Sequence, residues 1–145
     1  MKYIIGCKKL VIRLFQMKIF ITIAMVAGLF ATQATASAQD EETLAAGKRA
    51  YNKCRACHTL TDTDKPRPGP HLENIFGRGS ASVDGFKYSQ ALKDANLVWD
   101  EATLDTWLQS PRKFLPGNRM TFVGIRNENE RKALLAYLKA NTSTN

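Results

Sequence analysis

The chain is 145 residues long, 44 % hydrophobic and 23 % charged, with a formal net charge of +8. Those values exclude a disordered or collagen-like chain and leave room for one domain. The charge does not describe that domain: five of the 21 Lys and Arg lie in residues 1–38, leaving 16 against 13 Asp and Glu, a balance near +3 that is weak support for nucleic-acid binding.

Residues 1–38 contain Lys2, Lys8, Lys9, Arg13 and Lys18 and no acidic residue. The apolar run Ile19–Phe30 follows, then a small, polar stretch that ends in Ala-Ser-Ala before Gln39. This is the pattern of a secretory signal peptide, and the run is shorter than the roughly 20 residues of a membrane-spanning helix. The organisation expected is a cleaved leader over 1–38 and one domain over 39–145. The alternatives are an uncleaved anchor and a start of translation at Met17. The 107 residues after the leader are few for a self-sufficient core, and domains of that size often lean on a metal, disulfides or a cofactor.

Within 39–145, the segment Asp40–Cys54 predicts a helix with Leu44, Gly47 and Tyr51 on one face. Gly47 on that face lets another helix approach its backbone, and the last helix is the natural partner. Thr61–Pro70 is a loop punctuated by Pro and Gly. Ser89 is a candidate N-cap for a short helix through Asn96. Asp100 caps another through Gln109, which Pro111 ends. Asn127 opens the final helix, with Glu130 three residues later as a capping partner, and Leu134, Leu135, Tyr137 and Leu138 give that helix its apolar side. No run of alternating residues makes a strand. The fold class is all-α, and loops this long in a small domain usually wrap something.

Cys54-Arg55-Ala56-Cys57-His58 is the densest chemical feature. A Cys-x-x-Cys-His run is the attachment signature of c-type haem: each thiol adds across one porphyrin vinyl group, and the histidine that follows reaches the iron. A zinc half-site and a thiol–disulfide site are the alternatives. A structural zinc ion usually takes four ligands, and only His71 remains to supply one of the typical kinds. A redox dithiol would sit in a βαβ context. Met120 is the only methionine after the leader and lies in the turn Pro116-Gly117-Asn118-Arg119-Met120, where a loop presents it, unlike a methionine filling a helical core stripe. It is the candidate second iron ligand. His71 competes, but Pro66, Pro68 and Pro70 restrict the twelve residues that separate it from His58.

GKRAYNKCRACHTL, GPHLENIFGR, the Tyr88–Trp99 segment, LPGNRMTFVGI and ERKALLAYLK give residues 44–141 a resemblance to the small class I cytochromes c, mitochondrial and bacterial. The resemblance implies short helices and long loops around one haem c attached through Cys54 and Cys57, with His58 and Met120 as iron ligands and the first and last helices crossing. It implies that the Pro70 carbonyl fixes the His58 imidazole, that Arg78, Tyr88 and Trp99 surround the haem propionates, that Gly47, Tyr51 and Tyr137 form the helix crossing, and that Phe122 covers the haem. Leu92, Trp107 and Asn118 stand where mitochondrial members commonly have asparagine, tyrosine and threonine, so the polar network beside the methionine must be rearranged or lost.

The function expected is that of a periplasmic, monomeric electron carrier and not of an enzyme. Its implied partners are a quinol–cytochrome c oxidoreductase as donor and a terminal oxidase or photosynthetic reaction centre as acceptor. Nucleic acid is not a partner, and membranes are met only through those complexes. Lys48, Arg49, Lys53, Arg55, Lys65, Arg67, Arg112, Lys113 and Arg119 flank the haem-contacting segments and could steer acidic partners. A peroxidase-like enzyme or small-gas sensor is the alternative, and it requires a vacant iron position that Met120 would close.

Overall fold

A computed structural model describes residues 38–63 and 65–143. The expected leader, apart from Ala38, lies outside the described residues, as does the choice between Met1 and Met17. Chain contacts separate Met1–Glu41 from Glu42–Asn145, and the core and cavity belong to the second unit. The helices are α1 over residues 38–51, α2 Gln90–Asp94, α3 Glu101–Gln109, α4 Pro111–Phe114 and α5 Glu128–Thr142. Among the described residues there is no strand, only an isolated antiparallel bridge between Gly79 and Val98. No described helix is long and apolar enough to cross a membrane.

Local chemistry sets the helix boundaries. The side chains of Ser89, Asp100 and Asn127 accept hydrogen bonds from the N–H groups of Leu92, Thr103 and Glu130, as N-cap residues do. Only half of the capping pair expected at α5 forms, because the Glu130 carboxylate turns away to Lys53 of the segment after α1. Pro111 ends α3 but also opens α4 as its first residue, a position where its missing N–H costs nothing. α1 stops at Tyr51, three residues short of the expected end, and tight turns carry the chain through Cys57.

Asp100 predicts a pH dependence. The Thr103 N–H holds its carboxyl below the ordinary value. A carboxyl depressed in the folded state stabilises the protein above its unfolded value of about 3.9, and the gain is lost as pH falls through the folded value. The difference in Tm between wild type and Asp100→Ala is therefore expected to be full near pH 7 and to shrink steadily below pH 4. A difference that does not change with pH would exclude this cap.

Leu104, Trp107 and Leu108 of α3 and Leu134, Leu135 and Leu138 of α5 are buried at helical spacing, and they cluster with Ala50, Tyr51, Ile75, Trp99 and Ile125. Arg131 is buried as well. Its guanidinium reaches both carboxylate oxygens of Asp105 on α3, at 2.7 and 3.2 Å, and donates to the Ile125 and Arg126 carbonyls, each at 3.0 Å.

The helix crossing expected at Gly47 is present. A Cβ there would lie 2.1 Å from the Ala133 carbonyl oxygen and 2.5 Å from the Tyr137 Cβ, and the Tyr51 and Tyr137 rings meet at 5.7 Å beside it. The obstacle is helix backbone, which cannot swing aside. Gly47→Ala is expected to destabilise the protein by about 2–3 kcal/mol, read as a lower midpoint in chemical denaturation. An unchanged midpoint would show that α1 and α5 do not cross so closely.

Candidate functional site

The turns after α1 bring the Cys-x-x-Cys-His run together. Cys54 N–H donates to the Tyr51 carbonyl at 2.8 Å, and the N–H groups of Cys57 and His58 both donate to the Cys54 carbonyl, at 3.0 and 2.9 Å. The Tyr51 hydroxyl donates to the His58 carbonyl at 2.9 Å. Cys54, Cys57 and His58 all line one cavity of about 520 Å³, within the range of cofactor sites. Burial pushes the Cys54 thiol up to about 11.

The imidazole of His58 is fixed from the loop that follows. Its Nδ1 donates to the Pro70 carbonyl at 2.7 Å, which leaves Nε2 as the lone-pair nitrogen. A Cβ on Gly69 would sit 2.4 Å from Cε1 of the ring, so only glycine lets this backbone lie against it. Burial lowers the pKa of His58, against the opposing pull of the Pro70 bond. The neutral form, the one that binds metals, is thereby favoured.

Met120 lines the same cavity, from the loop after α4. Arg78, Tyr88, Trp99 and Phe122 are lining residues too, as the resemblance implies. The Arg78 guanidinium donates to the Glu73 and His71 carbonyls, at 2.6 and 2.9 Å. Tyr88 accepts from the Val83 N–H at 3.4 Å. Leu72, Ile75, Leu92, Trp107 and Leu138 make most of the remaining wall apolar.

His71 is not among the lining residues. Its side chain is 19 % exposed, with Nε2 3.9 Å from an Asp62 carboxylate oxygen, and its Nδ1 is buried without a hydrogen-bond partner. Of the nine expected steering cations, Lys53 and Arg119 line the cavity, while Arg55 and Arg67 line a separate, shallower cleft beside Tyr51. Lys87, which also lines the cavity, was not legible in the sequence. It lies far along the chain from both the Cys-x-x-Cys-His run and Met120.

Two thiols and a neutral imidazole on one turn, a thioether from a second segment, and an apolar cavity are a donor set and a space that fit haem c. The family model described as Cytochrome c matches residues 44–142. Cytochrome c2 of Rhodomicrobium vannielii is 39 % identical over 118 residues, covering 81 % of this chain and 93 % of that protein.

The chain belongs to the cytochrome c family. Cytochrome c of Chlamydomonas reinhardtii is 42 % identical over 101 residues, which cover 69 % of this chain and 90 % of that protein. The solved structure of cytochrome cH from Methylobacterium extorquens superposes with a TM-score of 0.61 at 39 % identity, covering 66 % of this chain and 96 % of that one. The all-α fold, with no sheet among the described residues, is therefore that of a class I cytochrome c. This cytochrome c is an electron-transfer protein, not an enzyme. Its cofactor is haem c, held covalently through cysteine, and Cys54 and Cys57 stand together at the cavity wall as that linkage requires.

Proposed function

We propose that His58 and Met120 bind the haem iron, that Cys54 and Cys57 carry the two thioethers, and that the protein shuttles single electrons in the periplasm after losing residues 1–38. The observation that carries this reading is that all four side chains line one cavity, with His58 already oriented by Pro70. The donor is a quinol–cytochrome c oxidoreductase, and the acceptor is a terminal oxidase or a reaction centre.

Haem c supplies a one-electron iron couple. Every other part of the function falls to the polypeptide. Pro70 and Gly69 lock the imidazole plane, and the Pro70 bond raises the basicity of the ring. Two protein ligands close the iron to water and substrates. The apolar wall excludes solvent and raises the cost of extra charge, which together with the thioether favours the reduced state. Arg78, Tyr88 and Trp99 line the cavity and would offset the charge of the propionates, which is otherwise costly to bury. Phe122, in the same wall, would shield the haem from water. Lys53, Lys87 and Arg119 place positive charge at the cavity, suited to acidic partners.

The test is electron exchange with purified complexes. Rapid reduction by a quinol–cytochrome c oxidoreductase and rapid reoxidation by a terminal oxidase or reaction centre are expected, both slowing as salt is raised. The periplasmic protein is expected to begin at Gln39 and to carry the mass of one haem. Exchange no faster than with an unrelated haem protein would rule out the carrier role with these partners.

A further inference from the structure

Asn118 lies two residues before Met120 and ties down the loop that carries it. Its side chain is half-buried and uses every part of the amide. Nδ2 donates to the carbonyls of Pro111 and Leu115, at 2.9 and 2.7 Å, and Oδ1 accepts the Met120 N–H at 3.0 Å. Two carbonyls and one N–H demand two donors and one acceptor, which an asparagine amide supplies and a threonine hydroxyl or a carboxylate does not. The carbonyls belong to α4 and its C-cap. That helix is itself held to α3, where the Phe114 ring meets the edge of Trp107 at 6.0 Å.

The rest of the loop is held from other sides. Arg119 donates to the Lys87 carbonyl, and Ile125 N–H donates to the Leu108 carbonyl of α3 at 2.8 Å. Leu92 and Trp107, although in the cavity wall, offer no side-chain hydrogen bond to the loop. The only side-chain bond made to Met120 itself among the described residues is that of Asn118.

We propose that Asn118 is the positioning residue that keeps the Met120 thioether on the iron. The proposal rests on Met120 being the second ligand. A methionine side chain is unbranched and flexible, and a neutral thioether holds iron weakly, so retention depends on how firmly the backbone presents it. Asn118 grips that backbone at the ligand's own peptide N–H and fastens it to α4.

Imidazole binding to the purified ferric holoprotein tests this, with the weak sulfur-to-iron absorption band recorded at each step. Asn118→Ala is expected to bind imidazole about tenfold more tightly than wild type, with a weakened band and the haem still covalently attached. Gly47→Ala, destabilising but remote from the loop, is expected to leave imidazole affinity within twofold of wild type. Two results overturn the proposal: an unchanged affinity in Asn118→Ala when the wild type shows the band, or an equal rise in Gly47→Ala. If the alanine variant does not mature, Asn118→Thr, which lacks one of the donors, gives the same reading at smaller amplitude, and an unchanged affinity there is equally fatal. A wild type without the band overturns the Met120 assignment first, and the role of Asn118 with it.

Discussion

The polypeptide made without haem is expected to be largely unfolded at room temperature. Ile75, Trp99, Leu104, Trp107, Leu108 and Leu138 belong to the hydrophobic core and also line the cavity. The core is thus half of a wall whose other half is the cofactor. Without the cofactor the apolar side chains of that wall face solvent, and each large one left exposed forfeits roughly 1.5–3 kcal/mol of burial. Whole domains are stable by only about 5–15 kcal/mol. The chain escapes that cost by unfolding or by collapsing without fixed packing, and a cofactor bound only to the native state restores it. Cys57→Ala, with at most one thioether, is expected to mature poorly for the same reason. Circular dichroism of the haem-free chain should show low helicity and no cooperative thermal transition. A cooperative transition with native helicity would mean that the cavity is maintained without its occupant.

The second large effect is expected at Met120. Replacing it with His leaves the thiols, His58 and the cavity wall in place, so covalent attachment persists. A second imidazole stabilises ferrous iron less than a thioether does, and the potential is expected to fall by about 0.2 V, a quarter of the roughly 0.8 V that axial ligands span. Met120→Ala removes the ligand outright, opens the iron to imidazole or cyanide and exposes peroxidase-like activity. Redox titration of both variants beside the wild type is the check. A potential unchanged in Met120→His, together with an iron still closed in Met120→Ala, would assign the second ligand to another residue.

What could be read from the sequence was chemistry confined to a few neighbouring residues or repeated at helical spacing. The three N-caps Ser89, Asp100 and Asn127 need only a side-chain oxygen and an N–H two or three residues on, and each forms. Gly47 was legible because it interrupts an apolar helical face, and the Ala133 carbonyl fills the gap it leaves. The Cys54–His58 run was legible because its spacing is dictated by the porphyrin it meets. Contacts between segments distant in sequence were not legible. Gly69 looks like any loop glycine until the His58 ring is placed against it. Nothing in the sequence around Arg131 marks it as buried, and its partners Asp105 and two carbonyls are met only in the fold. Pro111 reads as a stop, and its second role as the first residue of α4 emerges only once Ser110 has turned the chain. The loss of polar groups at Leu92 and Trp107 could be seen in advance. The hydrogen bonds of Asn118 could not, because its partners are backbone atoms that carry no sequence signature.

Ligation of the iron by His58 and Met120 is tested most directly by the absorption spectrum of the ferric wild-type protein. A bond between the Met120 sulfur and ferric iron predicts the weak sulfur-to-iron band, present in the wild type and absent from Met120→Ala and Met120→His. A wild-type spectrum without that band, in a protein whose haem resists acid–acetone extraction, would contradict it.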